Sequence, residues 1–311
     1  MGKSIFVLGE LNVDLIFSGE NITPEWNREK LVDQFEQVLG SSSAITACVL
    51  AGLGHHVSFV GVVGDDPFGH FCMDQLEAKG VNTDYITVVP ELKTGVTLSL
   101  TTTNDRALLT FMGAISKLTK EYLPVNLYEM ADHIHFGSYY LQQDIRSQWR
   151  EIFAEAKKHH ISTSFDTGWD PNNQWYKDDL LELLEFTDLF IPSEEELFHI
   201  LNIHNVTDIK AHLPEKRGMV AIKRGGNGSL LIDHNANYTS AEAYKVNPMD
   251  TTGAGDSFNA GLITGFLQNK RGKELLQFAN ACGALATLRI GGATTVPSLE
   301  EVLHFQNRFA Q

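Results

Sequence analysis

Short apolar runs rich in β-branched and aromatic residues alternate, over most of the chain, with stretches in which apolar residues recur every third or fourth position. Ile5–Leu8, Val57–Val63, His133–Phe136, Ser162–Asp166, Leu189–Ile191 and Met219–Lys223 predict strands. Between them, Ala44–Leu53, Pro67–Lys79, Ile145–His159, Asp178–Phe186 and Glu194–Leu201 have the spacing of amphipathic helices. This alternation predicts an α/β fold: a mainly parallel sheet joined by right-handed crossovers and flanked by helices on both faces. Ligands are then expected at the carboxyl ends of the strands.

Two segments break the rhythm. Asn12–Phe17, and Tyr85–Val89 with Thr97–Thr102 and Arg106–Met112, alternate polar and apolar residues without intervening helices, and Thr103-Asn104-Asp105 offers a hairpin turn. They predict a small antiparallel lid sheet outside the main one, formed by about residues 12–40 and 85–113 within a single domain over 1–311. Past Val246 the pattern is helical, at Gly255–Asn269, Lys273–Arg289 and Leu299–Phe309. Ser298 with Glu301 forms a capping box before the last of these.

Charge narrows the partners. With 24 Lys+Arg against 39 Asp+Glu the formal charge is −15, which argues against nucleic acid and anionic membranes. The uncharged stretch from Gln37 to Gly64 is broken by Ser41-Ser42-Ser43 and by Gly52–His56, so each apolar piece is too short to span a bilayer. Three widely spaced cysteines, Cys48, Cys72 and Cys282, form neither a disulfide framework nor a zinc site. A cytoplasmic chain with small-molecule partners is the expectation.

The stretch richest in chemistry is Asp250-Thr251-Thr252-Gly253-Ala254-Gly255-Asp256-Ser257-Phe258. Gly253 and Gly255 remove side chains where a helix begins, so backbone N–H groups and the helix dipole can converge on an anion. Asp256, in the first turn, is placed to take a proton from an attacking hydroxyl. A first-turn acid after a glycine turn also has a purely structural reading, and these residues alone do not decide between the two. Neither a Walker P-loop nor a Gly-x-Gly-x-x-Gly fingerprint occurs.

The run Asp250–Phe258 with Asn259-Ala260-Gly261 resembles the C-terminal signature of the ribokinase-like (PfkB) carbohydrate kinases. Gly61-Val62-Val63-Gly64-Asp65-Asp66-Pro67-Phe68-Gly69 resembles their N-terminal signature. Gly9–Asp14, Lys223–Gly228, Phe278–Ala281 and Arg289-Ile290-Gly291 extend the similarity over nearly the whole chain. The resemblance implies a ribokinase-like core with a small β-sheet lid.

It also implies roles. Asp256 would be the general base, and the amides of Ala254, Gly255 and Asp256, after Gly253, the anion hole. Asn12 and Asp14 would meet sugar hydroxyls, with Gly40, Ser41, Ile45 and Arg106 around the acceptor. Lys223, Gly225 and Gly228 would line the phosphates and ribose of ATP, and Asn280 the adenine. Glu196 and Asp166 would organise Mg²⁺ through water, and Asp250 and Thr252 with the loop at Gly291 a K⁺ site.

The chain departs from the family in two places. Relatives read Gly-Gly-x-x-x-Asn-x-Ala where it reads Gly40-Ser41-Ser42-Ser43-Ala44-Ile45-Thr46-Ala47, and Ser193 stands for the Asn of Asn-x-x-Glu196. Losing the amide at Ile45 changes which hydroxyls can be paired. Ser193-Glu194-Glu195-Glu196 is itself a capping box, which explains both residues without a metal. The leading expectation is ATP-dependent phosphorylation of a primary sugar hydroxyl, as in fructokinases and ribokinases. Alternatives are a nucleoside kinase, with Ile45 and Phe111 against the base, a phosphosugar kinase using Arg106 and Lys93, and a non-catalytic sugar-binding protein. An apolar lid face suggests a homodimer.

Overall fold

The computed structural model describes residues 2–102, 105–289 and 291–309. The hairpin turn expected at Thr103 and Asn104, and Ile290 of the family match, lie outside these residues. The strands are β1 (Ser4–Leu8), β2 (Asn12–Ser18), β3 (Gln34–Leu39), β4 (His56–Gly64), β5 (Asn82–Val89), β6 (Gly95–Thr101), β7 (Arg106–Phe111), β8 (His133–Phe136), β9 (Ser162–Phe165), β10 (Leu189–Phe190), β11 (Met219–Lys223), β12 (Ser229–Ile232) and β13 (Tyr238–Ala241). Among the described residues they form a 9-stranded sheet in the order β13-β12-β11-β10-β9-β8-β1-β4-β5 and a 4-stranded sheet in the order β3-β2-β6-β7.

The large sheet is parallel from β11 through β5, with β12 and β13 added antiparallel at one edge. Its central strands read as unbroken apolar runs because both faces are covered. In β1, Ile5 and Val7 enter one core with the helices Ser42–Gly52, Ala254–Leu267 and Gly272–Thr287, while Phe6 and Leu8 enter the other with Trp149–Lys158 and Glu194–Leu201. The second core is aromatic: Phe136 stacks on Trp149 with centroids 3.8 Å apart and on Phe165 at 5.1 Å.

The lid differs from the expectation in two ways. Tyr85–Val89 belongs to β5, the outer strand of the large sheet, where it pairs parallel with β4. An edge strand has one wetted face, so its alternation looks the same as that of a lid strand. The lid is also mixed rather than antiparallel, since β2 runs parallel to β6 while β3 and β7 are antiparallel to their neighbours. The three cysteines are buried and free. No helix among the described residues is long and apolar enough to cross a membrane.

The chain leaves the parallel strands at one edge of the sheet. Glu10 follows β1, Ser138 follows β8, Asp166 follows β9 and Lys223 ends β11, so one crevice collects them.

Candidate active site

The helix Ala254–Leu267 begins at Gly253, whose φ of 75° and lack of a capping side chain leave its first turn open. A Cβ on Gly253 would stand 2.9 Å from Gly292 Cα and 3.2 Å from Ile45 Cγ2, so two loops and the helix Ser42–Gly52 meet there. The Ala254 amide donates to Thr251 O at 3.2 Å, which closes a turn. Of the three amides expected to form an anion hole, that of Ala254 is thus engaged, while those of Gly255 and Asp256 follow it at the positive end of the helix dipole.

Asp256 is half-buried and accepts from Ser42 Oγ at 2.5 Å through Oδ1. Its carboxyl is pushed up to about 7, chiefly by burial and then by the charge of Asp166. Glu10 acts in the same direction, against the Ser42 hydrogen bond and the Lys223 charge. A carboxylate tuned near neutrality suits proton transfer.

Asp166, expected to organise Mg²⁺ through water, is engaged on both oxygens. Oδ2 accepts from Asn259 Nδ2 at 2.5 Å and lies 3.4 Å from both Lys223 Nζ and Ser42 Oγ, while Oδ1 accepts from the Ser138 amide at 3.1 Å. Only 3% of the residue is exposed, and it anchors Lys223 and Asn259. Burial opposes its charge, but Lys223 and the other donors hold the carboxyl below its ordinary value. Lys223 Nζ also donates to Asn259 Oδ1 at 3.2 Å and lies beside Gly255, where a Cβ would be 3.8 Å away.

On the lid, Asn12 Nδ2 donates to Asp14 Oδ1 at 2.8 Å and approaches Thr97 Oγ1 at 3.3 Å, which continues to Thr110 Oγ1 at 3.1 Å. Burial pushes Asp14 up to about 6, against the Asn12 bond and the Arg106 charge. Gly40 sits under this pair, since a Cβ there would collide with both Asn12 Nδ2 and Asp14 Oδ1. Arg106 Nη1 crosses to Thr252 Oγ1 at 3.3 Å, linking β7 to the glycine loop. Ile45 is 5% exposed and packs against Gly253 and Gly292 rather than opening onto the lid.

Lys223, Gly225, Gly228 and Asn280 line one cavity of about 250 Å³ beside Ala254 and Gly255, which joins the four expected nucleotide residues to the helix start. Gly228, at φ 79°, has no room for a side chain because a Cβ would overlap Ala241 O. Asn280 is buried, donating to Glu242 O at 3.1 Å and Ala241 O at 3.3 Å. A larger cavity of about 890 Å³ opens elsewhere, among Lys157, Asp188, Arg217 and Arg271, and contains none of these residues.

Ser193 and Glu196 form a full capping box: the Glu196 amide donates to Ser193 Oγ at 3.2 Å and the Ser193 amide to Glu196 Oε2 at 2.8 Å. Thr167 Oγ1 stands 3.4 Å from the same oxygen. Among the described residues no group of three or more His, Cys, Asp or Glu could hold an ion by itself. Mg²⁺ that travels with a nucleotide keeps phosphate and water ligands, so a lone carboxylate such as Glu196 fits it. The Asp250 carboxylate accepts from the amides of Thr252 at 2.8 Å and Gly291 at 2.9 Å, fastening together the loops of the expected K⁺ site.

Glu10, Ser42, Ser138 and Asn259 were not singled out from the sequence, although they complete the crevice. Their partners lie 28 to 214 positions away, beyond any spacing rule. Glu10 and Asn259 fall inside the family-like runs Gly9–Asp14 and Asp250–Gly261, and Ser42 inside the run of serines after Gly40, but the runs do not mark which groups they pair with.

The pattern of the pfkB family carbohydrate kinases matches residues 3–299. The chain is 26% identical over 306 residues to the ribokinase of Bacillus subtilis, covering 96% of this chain and 98% of that one. It is 28% identical over 321 residues to the fructokinase of Vibrio alginolyticus, covering 97% and 99%. An Escherichia coli protein assigned as a ribokinase II, solved in complex with ATP and Mg²⁺, superposes with a TM-score of 0.84 at 26% identity over 99% of this chain and 100% of its own. With motifs, crevice and full-length similarity in agreement, the chain belongs to the pfkB family of carbohydrate kinases, phosphotransferases that act on an alcohol group.

Proposed function

We propose that this chain phosphorylates a primary hydroxyl of a free sugar or sugar-like polyol, using ATP and Mg²⁺. The observation that carries the reading is a pair of separately tuned carboxylates: Asp256 beside an open helix start, and Asp14 in a polar lid row with Asn12, Thr97 and Thr110. Asn12 and Asp14 orient the acceptor, whose hydroxyl donates its proton to Asp256 as its oxygen attacks the γ-phosphorus and the bond to the oxygen bridging the β-phosphate breaks, releasing ADP. The Gly255 and Asp256 amides stabilise charge on the transferred group, and Lys223 is held near by Asp166. Glu196 would hold Mg²⁺ through water, and the ion would supply charge neutralisation of the phosphates. The ATP and Mg²⁺ held by the E. coli relative support this cofactor assignment.

A nucleoside acceptor has less support. Ile45 is packed away, and Phe111 lies on the opposite face of β7 from Thr110. ADP release measured with D-ribose, D-fructose, adenosine and ribose 1-phosphate separates the readings. Turnover is expected with a free sugar and is lost without Mg²⁺. Preference for adenosine would favour a nucleoside kinase, and sugar binding without ADP release a binding protein.

Two accompanying features belong to the same reading. K⁺ would bind the carbonyls of Asp250 and Thr252 next to Gly291, and replacing K⁺ by tetramethylammonium is expected to lower turnover. The outer lid face, with Phe17 and Phe35 at 5.4 Å and Leu109 and Phe111 more than half exposed, would pair with a second copy. Sedimentation of Leu109→Lys as a monomer, against a dimeric parent, tests that interface.

A further inference from the structure

The activity proposed above makes no use of Ser41-Ser42-Ser43, yet the hydroxyls of these residues serve two different carboxylate systems. Ser41 Oγ donates to Glu10 O at 2.6 Å and lies 3.1 Å from Oε1. Ser43 Oγ donates to Glu10 Oε2 at 2.6 Å, and its amide stands 3.4 Å from Oε1. Ser138 Oγ adds a bond of 2.8 Å to the same carboxylate, which is 3% exposed. Ser42, between the two tethered serines, turns to the other system: its Oγ is 2.5 Å from Asp256 Oδ1 and 3.4 Å from Asp166 Oδ2. A hydroxyl has one proton, and the shorter distance commits it to Asp256, in the range of charge-assisted O–H···O⁻ bonds.

The turn that aims Ser42 is held from several sides. Ser41 has φ 72° and ψ 120°, and its Oγ also accepts from the Ala44 amide at 2.9 Å, capping the helix Ser42–Gly52. A Cβ on Gly9 or Gly137 would run into Ser43 Oγ, so glycines on two strand ends close around Ser43.

We infer that Ser42 is a positioning residue for phosphoryl transfer: its hydroxyl holds the Asp256 carboxylate, while Ser41 and Ser43, tied to Glu10, fix the turn that directs it. The inference rests on Asp256 being the base. A hydrogen-bond donor also favours the charged carboxylate, so Ser42 and Lys223 act against burial and the charges of Asp166 and Glu10. Asn259 and Thr46 complete the surroundings without adding charge.

The test uses full-length protein labelled with ¹³C at aspartate carboxyls, the Asp256 resonance being identified by its loss in Asp256→Asn. It is titrated without acceptor or nucleotide. In Ser42→Ala the midpoint is expected to rise by at least about half a pH unit, and in Ser42→Thr, which keeps the hydroxyl, to stay within about 0.2 unit of the parent. With ATP, Mg²⁺ and the free sugar turned over fastest in the panel, Ser42→Ala is expected to lose about tenfold in kcat, with the KM for ATP within about twofold. An unmoved midpoint in Ser42→Ala, or a Thr variant as impaired as the Ala one, overturns the inference. Should Asp256→Asn turn over normally, the base assignment fails and takes the inference with it. An inactive Asp256→Asn beside an unshifted Ser42→Ala overturns the inference alone.

Discussion

The large sheet and the lid obey the same period-two rule and differ in what covers them. In β1, Ile5, Phe6, Val7 and Leu8 are at most 1% exposed, with helices on both sides. In β7 every residue from Arg106 to Phe111 is exposed, Leu109 by 62% and Phe111 by 57%. Chemistry that needs fixed distances sits at the ends of the covered strands, where packing sets side-chain positions. In the proposed reaction, recognition falls to the thin sheet, whose exposed strand leaves it most to gain from a bound acceptor.

The sharpest test of this division is Asp256→Asn. It is expected to lower kcat by at least about a hundredfold while ATP binding, followed by calorimetry, is retained. It should also stabilise the protein at alkaline pH. The folded carboxyl titrates at about 7, above its unfolded value, so its ionised form is disfavoured by folding above pH 7. The Asn variant is therefore expected to melt higher than the parent at pH 8, and the gain should shrink as pH falls through 7 toward the unfolded value. In the parent, kcat/KM is expected to fall about tenfold per unit below about pH 7, as the base becomes protonated. A flat profile from pH 5 to 8 would remove Asp256 from that role.

Gly40→Ala probes the lid side of the division. Its Cβ would displace Asn12 and Asp14, so the acceptor KM is expected to rise about tenfold while the KM for ATP changes by less than about twofold. Equal changes in both would mean that the two regions are not separable. Ile45→Asn places a polar group between Gly253 and Gly292. A cost of about 1–3 kcal/mol is expected there, read as a lower melting temperature, with a smaller change in the ratio of kcat/KM values between sugars. Arg106→Ala should matter least: an exposed lid contact to Thr252 is expected to change kcat/KM for a neutral sugar by less than about threefold. A much larger loss confined to a phosphosugar would identify Arg106 as the reader of a negative charge.

Covered regions were also the most legible in the sequence. Glu194–Leu201 and Leu299–Phe309 form helices with the expected bounds, and His133–Phe136 and Met219–Lys223 form strands with theirs, because caps or apolar runs mark both ends. Ile145–His159 instead begins as a 3₁₀ turn, Arg146–Gln148, before the α-helix Trp149–Lys158. Three strands left no signal. Gln34–Leu39 is a mostly exposed lid edge, and Ser229–Ile232 and Tyr238–Ala241 are too short to show a period. At the site, the glycines and acids carried by the family motifs could be located in advance. The hydrogen bonds from Ser42 to Asp256 and from Ser43 to Glu10 could not, because long-range pairing leaves no periodic trace.

Ser41 also constrains the order in which this turn can change its residues. Its φ of 72° is easy for glycine and costly for a serine, and here the bonds to Glu10 and the helix cap offset that cost. A glycine at position 41 tolerates many neighbours at position 10, whereas a serine depends on the one that holds it. The two positions are therefore coupled in descent: replacing Glu10 first strands Ser41 in an unsupported conformation, while exchanging Ser41 for glycine first frees position 10 to vary.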